Sequence, residues 1–201
     1  MITLLIIAIT AITSIRAFND RHLVGQLIFA PNYIQRTGQW YRFLSYGLLH
    51  ADWIHLIFNM LAFYSFGRIV ESTFVTLYPT AGKTVFAALY VLALPLSTLV
   101  DFFKYRNNPS YTALGASGAV SAVIFASILI APTAGIYILP IPIEIPAYIF
   151  GPLYLVFCIY MAKNANDNIG HLAHFFGAIF GLIFTSVAIP GIWEHFFRQI
   201  F

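Results

Sequence analysis

The sequence predicts an all-α fold, a polytopic membrane protein built as a bundle of six transmembrane helices with a long structured loop between helices one and two. Three observations carry that prediction. Of the 201 residues, 60% are hydrophobic and only 8% are charged, whereas a soluble domain carries roughly a quarter charged residues. The apolar residues gather into six runs near the roughly 20 residues that a helix needs to cross a ~30 Å hydrocarbon core. Short connections separate most of the runs, which leaves no length for a separate soluble unit. Residues 1–201 therefore read as a single membrane domain.

In chain order the runs are Ile2–Phe18, Trp53–Val70, Val85–Phe103, Leu114–Ala131, Pro146–Ala162 and Ile169–Ile189. The first lacks a basic flank and a small-x-small cleavage site, so it reads as a retained membrane helix. The 19–52 connection mixes Trp40, Tyr41 and Tyr46 with Arg21, Arg36 and Arg42, a composition suited to the membrane interface. Pro95 and Pro152 fall inside the third and fifth runs and predict kinks there, while Pro146 suits a first helical turn. The connection "PTAGIYILPIPIEIP" is proline-rich and nearly uncharged, and is expected partly in the interface. Aromatic residues Tyr148, Phe150, Tyr154, Phe157 and Tyr160 of the fifth run suit lipid contact or packing.

Charge and cysteine content exclude several classes of function. The net charge of +3 is scattered, with no arginine-lysine cluster of the kind that binds nucleic acid or lipid headgroups. The single cysteine, Cys158, rules out an intrachain disulfide and a Cys-based zinc site. No internal repeat supports a transporter built from symmetric halves.

Polar residues inside apolar runs are costly and face a bundle interior or a wet cavity. Here they gather at the starts of the second, fourth and sixth runs, which six short-looped helices bring to the same side. "HADWIHLIFNM" holds His50, His55 and Asn59; "GASG" holds Ser117; "NIGHLAHFFGAIFG" holds His171 and His174. Each has an ordinary reading: the serine as a packing residue, the histidines and asparagine as hydrogen-bond partners between helices. Packing signals favour a shared site. Gly177 and Gly181 form a GxxxG pair on the face of His174, and Gly118, Ala122 and Ala126 form a small ridge beside Ser117. Two such ridges allow an approach close enough for an imidazole to take the proton of a serine hydroxyl. His55, Asn59 and the unpaired Ser117 backbone N–H are then candidate donors to an oxyanion. Of the seven carboxylates only Asp52 and Asp167 lie near that depth, so the expected arrangement is a Ser–His dyad.

The chain resembles the rhomboid intramembrane serine proteases. The matching elements are "HADWIHLIFN", "GRIVE", "GASG" and "AHFFGAIFG", in the family's order and spanning the six-helix core. GASG alone is a weak signal; the set at this spacing is specific. The resemblance implies Ser117 as nucleophile, His174 as general base, and His55 and Asn59 as oxyanion ligands. It also implies structural polar roles for Arg42 and Glu71. Because Ala173 and His174 are followed by Gly177 and Gly181 as the family pattern requires, His174 is preferred over His171 as base, and His171 and His50 are assigned supporting roles. The implied activity is endopeptidase cleavage of transmembrane segments, without a metal or other cofactor. The implied partners are substrate membrane helices and the lipid bilayer, and oligomeric state is left open. The implied location is the cytoplasmic membrane, with the N-terminus inside and the site opening to the outer side.

The sequence departs from the family pattern in three places. Tyr41-Arg42 stands for the usual Trp-Arg. Ser121 occupies the place, one turn after the serine, from which some bacterial members stack an aromatic on the histidine. Arginines and lysines are more numerous on the implied outer side, against the positive-inside tendency. Two rival readings are a metal site built from His50, His55, His171 and His174, which leaves Ser117 unexplained, and a catalytically silent relative that binds and escorts membrane helices. The intact Ser117 and His174 oppose the second.

Overall fold

The computed structural model describes every residue except 138–142, 166 and 168. The first apolar run forms α1 (Ile2–Ala17). Three short helices, α2 (Arg21–Leu27), α3 (Pro31–Thr37) and α4 (Arg42–Ser45), with a 3-10 turn at Tyr46–Leu48, fold the long first connection. The other five runs form α5 (Trp53–Leu77), α6 (Gly82–Tyr105), α7 (Ser117–Ile130), α8 (Ala147–Asn164) and α9 (His171–Ala188). A nine-residue tail helix, α10 (Ile192–Ile200), follows α9. Helices α5, α6 and α9 are each long and apolar enough to cross a membrane, and α1 and α7 are shorter apolar helices. Large apolar side chains such as Ile12, Ile54, Ile57, Val156 and Val187 are exposed. In a chain this apolar, that outward belt is the lipid-facing surface.

At the centre of the bundle is α7, in which Gly118–Val123 and Phe125–Leu129 are buried. Its 14 residues make a rod about 21 Å long, shorter than a ~30 Å hydrocarbon core. At the far end of α7, His195 of α10 meets the Ile130 carbonyl at 2.9 Å.

Helix α7 is packed on by α5, α6 and α9, and the approach of α9 is close. A Cβ added to Gly177 would run into the Gly118 carbonyl, and one added to Gly181 into the Ala122 carbonyl. The two small-residue ridges therefore meet backbone to backbone, as the GxxxG spacing predicts.

Helix α1 docks on α5 through a carboxylate. No side chain caps the start of α1 locally. Instead Glu71 accepts from the Ile2 and Thr3 backbone N–H groups at 2.7 and 2.9 Å and from the Thr3 hydroxyl at 2.6 Å. A negative charge on unpaired first-turn N–H groups is favoured by the helix dipole as well as by the hydrogen bonds.

Several details extend or correct the sequence reading. Helix α5 continues to Leu77, seven residues past the expected Val70, because "ESTFVTL" keeps Glu71 and Phe74 facing the core. Helix α6 runs unbroken through Pro95, and the Tyr46, Ser97 and Thr98 hydroxyls all donate to the Leu94 carbonyl. Helix α8 likewise continues through Pro152. Pro146 ends a strand rather than opening a helical turn. The proline-rich connection contains an antiparallel pair, β1 (Gly135–Tyr137) with β2 (Glu144–Pro146), and the interface expectation for its middle falls on residues outside those described. Tyr154 turns inward to Ser121, their hydroxyls 2.9 Å apart, while Phe157 and Tyr160 are exposed.

Substituting Gly181 with valine forces α7 and α9 apart. We expect Gly181→Val to lose about 1–3 kcal/mol, the usual range for overpacking, read as a lower midpoint of unfolding in detergent. Gly25→Ala, where an added Cβ meets nothing within 4 Å, should stay within about 0.5 kcal/mol of the parent or exceed it slightly.

Candidate active site

Two segments of the first connection shape the approach to Ser117. Phe29 and Ala113 exchange backbone hydrogen bonds at 3.0 and 2.9 Å, and the Gly115 N–H donates to the Tyr46 carbonyl at 3.1 Å. Gly115 has φ of +112°, a backbone conformation open to glycine and strained for other residues. The chain turns there and enters α7 at Ser117. Ala116 supplies no side-chain cap, so the N–H groups of the first turn have no partner within the helix.

Across the α7–α9 contact, His174 Nε2 lies 2.7 Å from Ser117 Oγ. Both residues are half-buried. His174 is three residues before Gly177 and Ser117 one before Gly118, so the glycine contact and the side-chain contact are parts of the same helix approach.

His55 stands on the other side of the serine. A carbon at the missing Cβ of Gly115 would lie 3.0 Å from His55 Nε2 and 3.9 Å from Ser117 Oγ. The Ala51 N–H points at His55 Nδ1 at 3.4 Å, which leaves the proton on Nε2, facing that space. One turn further along α5, the Asn59 amide nitrogen is 2.7 Å from His50 Nε2. His50 Nδ1 meets Ser14 Oγ at 2.9 Å, and Ser14 donates to the Leu48 carbonyl at 2.8 Å. Only one proton arrangement satisfies the whole row: Asn59 donates to His50, His50 to Ser14, and Ser14 to Leu48. One N–H of Asn59 is committed to this row and the second remains.

His171 takes a different partner. Its Nε2 is 3.2 Å from Asp167 Oδ2, its ring is edge-on to His174 with centroids 6.2 Å apart, and its Nδ1 has no partner among the described residues. The second Asp167 oxygen accepts from the Ile169 N–H at 3.1 Å. The bond from His171 holds the exposed Asp167 carboxyl below its usual range. A polar cavity of about 360 Å³, bordered by Asp101, Lys104, Tyr111, Asp167 and His171, opens beside the start of α9. Among the described residues no three His, Cys, Asp or Glu side chains converge as a metal site requires. His50 and His171 lie in separate hydrogen-bonded groups.

Arg42 lies outside this centre and is 4% exposed. It donates to Gln39, to the Gly25 carbonyl and to the Ile28 carbonyl, and so folds the first connection on itself. Glu71 is at the opposite end of α5, on α1. Sequence reading missed the role of Tyr46, which binds Leu94 of α6 through its hydroxyl and Gly115 through its carbonyl. An aromatic in an interfacial loop gives no signal that distinguishes such a buried brace from a membrane anchor.

Removing His50 leaves Asn59 and Ser14 without their shared buried partner. We expect His50→Ala to cost about 1–3 kcal/mol in detergent unfolding, with the exposed His22→Ala near zero. The Asp167 bonds are present above the usual carboxylate range and fade only as pH falls through the depressed pKa of the folded state. Asp167→Asn should therefore speed amide exchange at Ile169 at pH 7, whereas the parent shows such a rise only in strongly acid solution.

The comparisons with known proteins agree with one another. A family described as "Rhomboid domain" matches residues 37–191. Rhomboid-related protein 1 of Caenorhabditis elegans is 30% identical over 88% of this chain and 47% of its own length. RHOMBOID-like protein 12, mitochondrial, of Arabidopsis thaliana is 26% identical over 81% and 50%. Rhomboid protease GlpG of Haemophilus influenzae is 26% identical over 80% and 76%. The chain thus spans about half the length of the first two relatives. Its fold, motif order and the extent of these matches lead to one conclusion: the chain belongs to the rhomboid family.

Proposed function

We propose that this chain is an intramembrane serine endopeptidase that cleaves transmembrane segments of other membrane proteins with a Ser117–His174 dyad. The observation that carries this reading is the 2.7 Å contact between His174 Nε2 and Ser117 Oγ, within the reach required of a general base and its nucleophile. The relatives named as rhomboid proteases support the same reading.

In the proposed reaction a substrate helix unwinds locally, because a helical carbonyl is otherwise engaged in its own hydrogen bond. His174 takes the Ser117 proton as Oγ attacks the scissile carbonyl carbon. The oxyanion is met by the His55 Nε2–H, the free N–H of Asn59 and the first-turn N–H groups of α7. His174 then gives its proton to the leaving amine as the C–N bond breaks. Water entering from the polar cavity near His171 loses a proton to His174 and attacks the ester. The acid product leaves, and Ser117 recovers its proton. The membrane proposed is the cytoplasmic membrane, N-terminus inside. Arg42, buried within the loop, is a structural cation and carries no weight in the positive-inside comparison.

Labelling of the purified protein with a fluorophosphonate probe, beside cleavage of a transmembrane substrate, tests this reading. Ser117→Ala and His174→Ala should each abolish labelling and lower cleavage by at least about 10³-fold. Asn59→Ala should lower cleavage about 10²–10³-fold, and His171→Ala should still label. A folded parent that neither labels nor cleaves would leave the escort reading in its place.

A further inference from the structure

A second pocket lies away from Ser117, at the other end of α5. It has a volume of about 610 Å³ and is bordered by Tyr64, Arg68, Ile69, Ser72, Val75 and Lys83, among others. Arg68 is fifteen residues after Trp53, about 22 Å along the helix. Counted from the start of α5, that distance approaches the far boundary of a ~30 Å core, where lipid headgroups begin. Arg68 donates to the Tyr64 hydroxyl at 2.8 Å, and its guanidinium lies 5.3 Å from the Tyr64 ring centroid. The tyrosine thus holds the fork in place while using only part of its donor set. Lys83 comes from the first turn of α6.

Neither cation is in an ion pair among the described residues. Glu71 also borders the pocket, but it is 3% exposed and its oxygens are turned to Ile2 and Thr3, so it contacts neither cation. The pocket therefore presents two unpaired cations and the Ser72 hydroxyl beside exposed Ile69 and half-buried Val75. Guanidinium and ammonium groups over an apolar wall fit a phosphate group attached to an acyl chain. From this arrangement we infer that the Arg68–Lys83 pocket binds the headgroup phosphate of an anionic phospholipid, in the leaflet away from Ser117. A soluble phosphate has the same charge but gains nothing from Ile69 and Val75.

Native mass spectrometry of the full detergent-purified chain tests this, with added phosphatidylglycerol, phosphatidylcholine or inorganic phosphate. Phosphatidylglycerol should remain bound more tightly than phosphatidylcholine. Arg68→Gln and Lys83→Gln should each weaken it about fivefold, and the double variant about 30-fold. Arg36→Gln, an exposed cation on α3, should leave it unchanged, and Arg68→Lys should retain most of the binding. Each variant is checked for folding by its unfolding midpoint. Equal retention by parent and double variant, or equal binding of the two lipids, overturns the proposal. Displacement of the lipid by millimolar phosphate overturns the lipid source.

Discussion

Everything at the candidate site depends on how closely two helix backbones approach. In lipid there is little hydrophobic gain from bringing helices together, so contact area and missing side chains decide the distance. Gly177 and Gly181 of α9 lie against the Gly118 and Ala122 carbonyls of α7. Ser117 and His174 are carried on the same approach, within one turn of the nearest glycine contact. A hydrogen bond tolerates only a few tenths of an ångström of displacement, whereas one added methyl group displaces a helix by more. The 2.7 Å contact is in that sense a property of the glycines as much as of the two polar residues.

Around that approach, the other elements act as braces. The first connection fixes Gly115 through Tyr46 and Ala113 through Phe29, and is itself folded on Arg42. Helix α1 contributes Ser14 to the row that ends on Asn59, and α8 contributes Tyr154 to Ser121 one turn below Ser117. Each buried polar group in this set has a partner, which a low-dielectric interior demands. The cost of losing one is correspondingly larger than its own bond.

The helices were legible in the sequence because membrane helices leave long apolar runs. Ser117 and His174 stood out as candidates because polar residues flanked by small ones are conspicuous in such runs, and the preference for His174 over His171 came from the family resemblance. The rest left weaker traces. At nine residues, with Glu194 and Arg198 on it, α10 is too short and too polar for a search by membrane-length runs. The strands β1 and β2 are three residues each, shorter than any alternation that would announce them. Tyr154 could not be told from its aromatic neighbours because α8 is apolar on all sides, so periodicity names no inner face. The pairing of Asn59 with His50, and of Glu71 with α1, joins residues by geometry that a linear pattern does not encode.

The bond between Glu71 and the start of α1 sets an order of assembly. The two partners are separated by 69 and 68 residues, and α1 leaves the ribosome long before Glu71 does. Until α5 has been made and inserted, the first-turn N–H groups of α1 lack the carboxylate that satisfies them. Helix α1 is therefore made before α5 but has its first turn satisfied only once α5 is in place. The carboxylate that completes the start of α1 thus comes from a later helix rather than from its own flank.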